Sequence, residues 1–134
     1  MLESLSKQFD TSGESATRTR RILVVDDHFD AASMLAKLLC LHGHEARMVH
    51  DGDAALEAVK AGPLDVVILD IGLPGMDGYE VARRMRRQPG GDQLVLVALT
   101  GLGQEEDRRR SREAGFDHHL VKPVRIHVLK ELLS

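Results

Sequence analysis

Five short apolar runs separated by helix-length stretches constrain this chain more than any other feature. They cover residues 22–25, 46–49, 66–69, 94–99 and 120–121. Val, Ile and Leu fill the longer ones without polar alternation, the pattern of strands covered on both faces, while the second and fifth are weaker. Between them, Ala31, Leu35, Leu38 and Leu39 recur at helical spacing, and Gly43 follows as a helix-ending residue would. Asp53 is placed to cap a second helix carrying Ala55, Leu56 and Val59, which Gly62-Pro63 stops. Gly78, Val81, Ala82 and Met85 mark a third helix, and Ile126, Leu129 and Leu133 mark the last. Alternating strands and helices predict an α/β fold, a doubly wound five-stranded parallel sheet with helices on both faces.

With 134 residues, 43% of them hydrophobic, the chain suits one compact domain. Residues 1–20 stand apart: Ser, Thr, Gly and alternating charges give no apolar periodicity, so a disordered leader or linker is expected before a domain at 21–134. No apolar run is long enough to span a bilayer, and no apolar core of a secretory signal appears before Thr19. The single cysteine, Cys40, cannot form an internal disulfide, which fits a reducing compartment. A net charge of -3 carries no basic footprint for nucleic acid. A cytoplasmic protein acting through neither membrane nor DNA is expected.

The fourth helix is unusual, because residues 104–113 contain no apolar side chain. The pairs Glu105–Arg109 and Glu106–Arg110 are well oriented, but a helix polar all round buries little and moves easily. Arg108, Arg109, Arg110 and Arg112 on it would suit a partner or dimer contact. Arg83, Arg84, Arg86 and Arg87 on the third helix are expected to form a solvated face balanced by nearby acids.

Chemistry gathers where the strands end. In open α/β sheets ligands sit beyond the carboxyl ends of the strands. Asp26-Asp27, Asp70, Thr100 and Lys122-Pro123 occupy four of those five ends. Two like charges about 4 Å apart repel by about 4 kcal/mol at an effective dielectric near 20. Three carboxylates facing one ammonium therefore call for a divalent cation, and oxygen ligands favour a hard ion such as Mg²⁺.

These stretches carry a family resemblance. Residues 22–27 (ILVVDD), 65–70 (DVVILD), 73–78 (LPGMDG), 98–101 (ALTG) and 121–123 (VKP), in that order, resemble a response-regulator receiver domain of two-component signalling. The resemblance implies the flavodoxin-like receiver fold, with Asp70 as phosphoacceptor for a sensor histidine kinase or a histidine phosphotransfer protein. It further implies that Asp27, Asp70 and the Gly72 carbonyl bind Mg²⁺, with Asp26 positioning the ion through water. Lys122, carried on a cis peptide to Pro123, and Thr100 would engage the phosphoryl oxygens. Such a receiver is no turnover enzyme; it catalyses only its own phosphorylation and dephosphorylation. Modification would shift Thr100, the loop at 101–103 and the fourth helix, changing affinity for a downstream partner on the fourth-to-fifth helix face, where a homodimer is also allowed. Two positions depart from the pattern: His119 stands where an aromatic switch residue is usual, and Arg125 where an acidic helix cap is common.

Other readings fit less well. Haloacid-dehalogenase-type phosphatases resemble D-x-D, whereas this chain has Asp70-Ile71-Gly72. A dinucleotide-binding enzyme wants a Gly-rich turn where Asp26-Asp27-His28 stands. A pseudo-receiver, binding partners without phosphorylation, would usually have lost one of the acids or Lys122. A single-domain response regulator is the simplest setting; a receiver within a hybrid histidine kinase or another multidomain protein is the alternative.

Overall fold

The computed structural model describes residues 19–101 and 105–133. Strand β1 (Arg21–Val25) leads into helix α1 (Phe29–Leu41), followed by β2 (Glu45–Val49), α2 (Gly52–Ala61), β3 (Val66–Asp70) and α3 (Gly78–Arg87). A short 3-10 turn (Gly91–Gln93) precedes β4 (Val95–Thr100), α4 (Glu105–Ala114), β5 (His118–Val121) and α5 (Ile126–Leu133). All four strand pairings are parallel and the order across the sheet is β2-β1-β3-β4-β5. This is the doubly wound five-stranded sheet expected.

Strand geometry divides the core in two, because successive side chains point to opposite faces. Ile22, Val24, Ile68, Val97 and Leu99 pack with Ala32 and Leu39 of α1 and Leu129 and Leu133 of α5. Leu23, Val25, Val67, Leu69, Leu96 and Ala98 pack on the other side with Ala55 of α2, Val81, Ala82 and Met85 of α3, Ala114 and Phe116. Burying each large aliphatic side chain contributes about 1.5–3 kcal/mol, so the central strands β1, β3 and β4 dominate cohesion. The edge strand β2 is only partly covered, and so is β5, which explains their weaker sequence signal.

Several local expectations change. Ala31 is exposed and Ala32 is fully buried in its place, while Leu35 and Leu39 pack on the core as the apolar spacing placed them. Asp51, not Asp53, caps α2: its carboxylate accepts from Ala54 N at 2.8 Å, three residues on, while Asp53 lies inside the first turn. A cap must lie outside the helix to reach that amide. Asp77 does the same for α3 through Glu80 N at 2.9 Å. The expected glycine end of α1 is present, with Gly43 at φ +91°, where a side chain would be strained. Strand β5 begins at His118, two residues before the apolar pair that signalled it.

Arg86 breaks the expectation of a solvated arginine face on α3. Arg83 and Arg84 do pair with Glu80, at 3.0 and 2.9 Å. The Arg86 guanidinium instead donates to the carbonyls of Gly91, Leu94 and Gly115 at 2.8, 2.7 and 2.6 Å. It also donates to Asp117 at 2.8 Å, whose carboxylate accepts Leu96 N. One side chain thus joins α3 to the start of β4 and to the turn between α4 and β5.

The leader through residue 18 and the glycine-flanked loop at 102–104 lie outside the described residues, as do the side chains of Glu105 and Glu106. Thr19 and Arg20, the last two residues of the expected leader, hydrogen-bond to Gly43 O, His44 Nδ1 and Leu133 O.

Candidate functional site

The register places the polar strand ends together. Asp26 follows β1, Asp70 ends β3, Thr100 ends β4 and Lys122 follows β5. Backbone bonds hold these tips in line: Asp26 N to Val49 O, Ile71 N to Leu99 O and Lys122 N to Thr100 O. Asp26, Asp70 and Thr100 are all buried, whereas Asp27 is exposed. The Lys122-Pro123 peptide is cis.

Lys122 Nζ lies 2.8 Å from Asp70 Oδ2 and 3.7 Å from Asp26 Oδ2. Gly72 N donates to the other Asp70 oxygen at 2.9 Å. Burial alone would push the Asp70 carboxyl up, but the hydrogen bonds from Lys122 and Gly72 and the lysine charge outweigh it, so the group sits below its ordinary value. Burial likewise opposes the lysine charge, and Asp70 and Asp26 overcome it, leaving Lys122 raised. Asp70 is therefore an anion at neutral pH, as a carboxylate nucleophile must be.

The next turn holds the acidic pair. Asp26 accepts from His28 N at 3.0 Å, and the His28 ring nitrogen Nδ1 lies 3.3 Å from Asp26 and 3.5 Å from Asp27. Ligand atoms of Asp26, Asp27, His28 and Asp70 all fall within 4.8 Å of one another. Three carboxylates that close, with one lysine, fit a hard divalent cation in both donor chemistry and charge. His50 was not singled out by the sequence reading. Its Nδ1 lies 3.0 Å from the Asp26 carbonyl, bracing the acidic turn from the tip of β2. Nothing in the spacing marks it, because the contact depends on β1–β2 pairing.

Gly78 holds the loop behind Asp70. A Cβ there would collide with the Ile71 backbone, so α3 begins in direct contact with the residue after Asp70. Beside Lys122, a groove of about 490 Å³ runs between α1 and the start of α5, lined by Met34, Leu35, Leu38, Leu99 and Pro123. Met34 on its rim is 67% exposed. His119 is set back from the crevice, with Nδ1 2.9 Å from Oγ of Ser111, a fully buried residue of α4.

A parallel sheet with an acidic, lysine-closed crevice at its carboxyl end defines a doubly wound α/β protein built around one polar centre. Residues 22–134 match the model of the response regulator receiver domain, and the chain belongs to that family. It is 35% identical over 134 residues to the sensor histidine kinase RcsC of Salmonella typhimurium, covering 98% of this chain and only 14% of the relative. The chain thus spans a small part of that protein. Among solved structures it is similar to the receiver domain of sensor histidine kinase PA1611 from Pseudomonas aeruginosa, which has magnesium coordinated in its active-site cleft. That likeness has a TM-score of 0.79 at 28% identity, covering 87% of this chain and 95% of the other. The receiver domain of the response regulator Ssk1 from Saccharomyces cerevisiae, crystallised with the phosphotransfer protein Ypd1, is also similar. There the TM-score is 0.78 at 25% identity over 86% of each chain. No helix among the described residues is long and apolar enough to cross a membrane.

Proposed function

We propose that the protein accepts a phosphoryl group on Asp70 from the phosphohistidine of a sensor kinase or histidine phosphotransfer protein. The observation that carries this reading is the Asp70 carboxylate, held ionised by Lys122 at 2.8 Å at the centre of the strand-tip cluster. A carboxylate oxygen attacks phosphorus, the phosphorus–nitrogen bond breaks, and the imidazole leaves with the electron pair and takes up a proton. Asp27, Asp70 and the Gly72 carbonyl would hold Mg²⁺, with Asp26 positioning it through water, and the ion supplies neutralisation of phosphoryl charge. Lys122 then pairs with a phosphoryl oxygen, and the Thr100 hydroxyl donates to another. The apolar groove beside Lys122 is the natural seat for the donor protein, since it opens at the site and carries exposed Met34.

The added group brings about -1.5 to -2 charge and three acceptor oxygens. Drawing Thr100 and Lys122 toward them pulls on β4 and β5, and the His119–Ser111 bond passes the pull to α4. The output is altered affinity for a cytoplasmic partner, or for a second copy, on the α4-to-α5 face. A second setting, as one module of a larger sensor kinase, is supported by the likeness to RcsC, which covers 98% of this chain.

The test is intact mass after acetyl phosphate, with and without Mg²⁺, in wild type and Asp70→Asn. One phosphoryl addition that needs Mg²⁺ and vanishes in the variant is expected. A folded wild type that never gains mass would leave an interaction module without phosphorylation.

A further inference from the structure

Among the described residues β2 is bonded along one edge only, to β1. Glu45 N donates to Arg20 O and Val49 O accepts from Asp26 N, so residues 45, 47 and 49 turn their backbone groups toward β1. Those of Ala46 and Met48 therefore point outward, as the unpaired groups of an edge strand do. Beside this edge runs a groove of about 620 Å³, with Ala36, Cys40 and Leu41 of α1 on one side and Ala46 and Met48 on the other. Leu41 is 80% exposed, and the Cys40 thiol lies 4.0 Å from the Ala46 carbonyl oxygen. Two opposite charges flank Ala46: Glu45 and Arg47, both exposed on the face of the strand away from α1. Arg21, opposite Glu45 on β1, is already bound to Asp65 at 3.2 Å, and Arg47 has no ion pair among the described residues.

We propose that the free edge of β2 and its groove form a two-fold interface between two copies of this chain, with Ala46 on the axis. An antiparallel pairing centred there lets Ala46 exchange both hydrogen bonds with Ala46 of the partner subunit. It sets Glu45 directly opposite Arg47 of the partner subunit, twice over, and opposite charges across a strand pair attract where like charges repel. Moving the axis one residue, to Arg47, would set two arginines face to face, so the charges select the register. On the other face of the sheet the two α1 helices come together above the joined edges, which shields the groove and Leu41 from water. Lys37, also along the groove, has a stem long enough to keep its ammonium in solvent. A segment of uniform charge is the poorer occupant, since it would meet one of the two charges unfavourably. The contact is short, so the dimer is weak and concentration-dependent. No residue of the Asp70 crevice or of the α4-to-α5 face takes part, and the dimer is independent of the phosphoacceptor reading.

The test is sedimentation velocity of the full, unphosphorylated chain over a range of concentrations, alongside Arg47→Glu and the reversed pair Glu45→Arg/Arg47→Glu. Wild type is expected to pass from one chain to two as concentration rises. Arg47→Glu sets Glu45 against a second acid and should weaken association about tenfold or more, and the reversed pair should restore it. Both positions are exposed, so neither change disturbs the core. Cys40 is the only cysteine of the chain and lies close to the axis. A short bis-maleimide should therefore trap a wild-type dimer, and far less of one from Arg47→Glu. A wild type that stays monomeric at every concentration would overturn the proposal and leave the groove to another occupant, residues 1–18 included. A dimer indifferent to Arg47→Glu would overturn it by placing the contact elsewhere, on the α4-to-α5 face for instance. A loss that the reversed pair fails to restore would overturn it too, because Glu45 would then not face Arg47 of the partner subunit.

Discussion

Helices α3 and α4 lie beside each other on one face of the sheet, each with ten residues and four arginines, and the fold treats them differently. Helix α3 buries Gly78, Tyr79, Val81, Ala82 and Met85. Helix α4 buries Ser111 and Ala114, and its tie to β5 runs through a hydroxyl. Arginine content says little about a helix's place; the apolar residues between the arginines decide it. In the proposed switch, the helix with few of them is the one that responds when the site changes.

That contrast can be broken most sharply from the α3 side. Met85 is fully buried, so Met85→Ala should cost about 2–5 kcal/mol in urea denaturation, and a cost under about 1 kcal/mol would mean that α3 is not the anchored partner. On α4, Ser111→Ala removes the hydrogen bond to His119 and should cost about 1 kcal/mol. Hydrogen exchange should show α4 amides opening before those of α3 in the wild type, and earlier still in Ser111→Ala. Matching protection in both helices would remove the distinction. The smallest effect concerns Glu80, whose carboxyl is held below its ordinary value by hydrogen bonds from Arg84 and then Arg83. A depressed carboxyl contributes stability above its unfolded pKa, about 4.3, and loses it as pH falls through the folded value. Glu80→Gln should therefore differ from wild type at neutral pH and converge with it in acid; a gap that widened on acidification would reverse the assignment.

The strand tips were legible because they belong to contiguous patterns, a buried run ending in a polar residue, and parallel topology then brings the ends together. Asp26, Asp27, Asp70, Thr100 and Lys122 all follow from that logic. Contacts between elements distant in sequence were not legible. His50 braces Asp26 across a strand pair, and Arg86 meets three carbonyls from two segments, the turn before β4 and the end of α4. In α1, Ala31 and Ala32 are chemically alike, so which of the two is buried depends on how the helix lies on the sheet. Ser111 looked like one more polar residue in a polar helix, and only the placement of β5 makes it an internal hydrogen-bonding group.

Arg86 also determines how α4 can move. Its guanidinium clamps Gly115 O, immediately after the last residue of α4, so that end is pinned to α3 and to the start of β4. The opposite end of α4, at Glu105, follows the end of β4 at Thr100 by a few residues of chain. A pinned rod swings instead of sliding: over a ten-residue helix, about 15 Å long, a tilt of about ten degrees moves the free end by about 2.6 Å while the pinned end stays in place. In the proposed switch the guanidinium would serve as the fulcrum and the helix as a lever pinned at its Gly115 end.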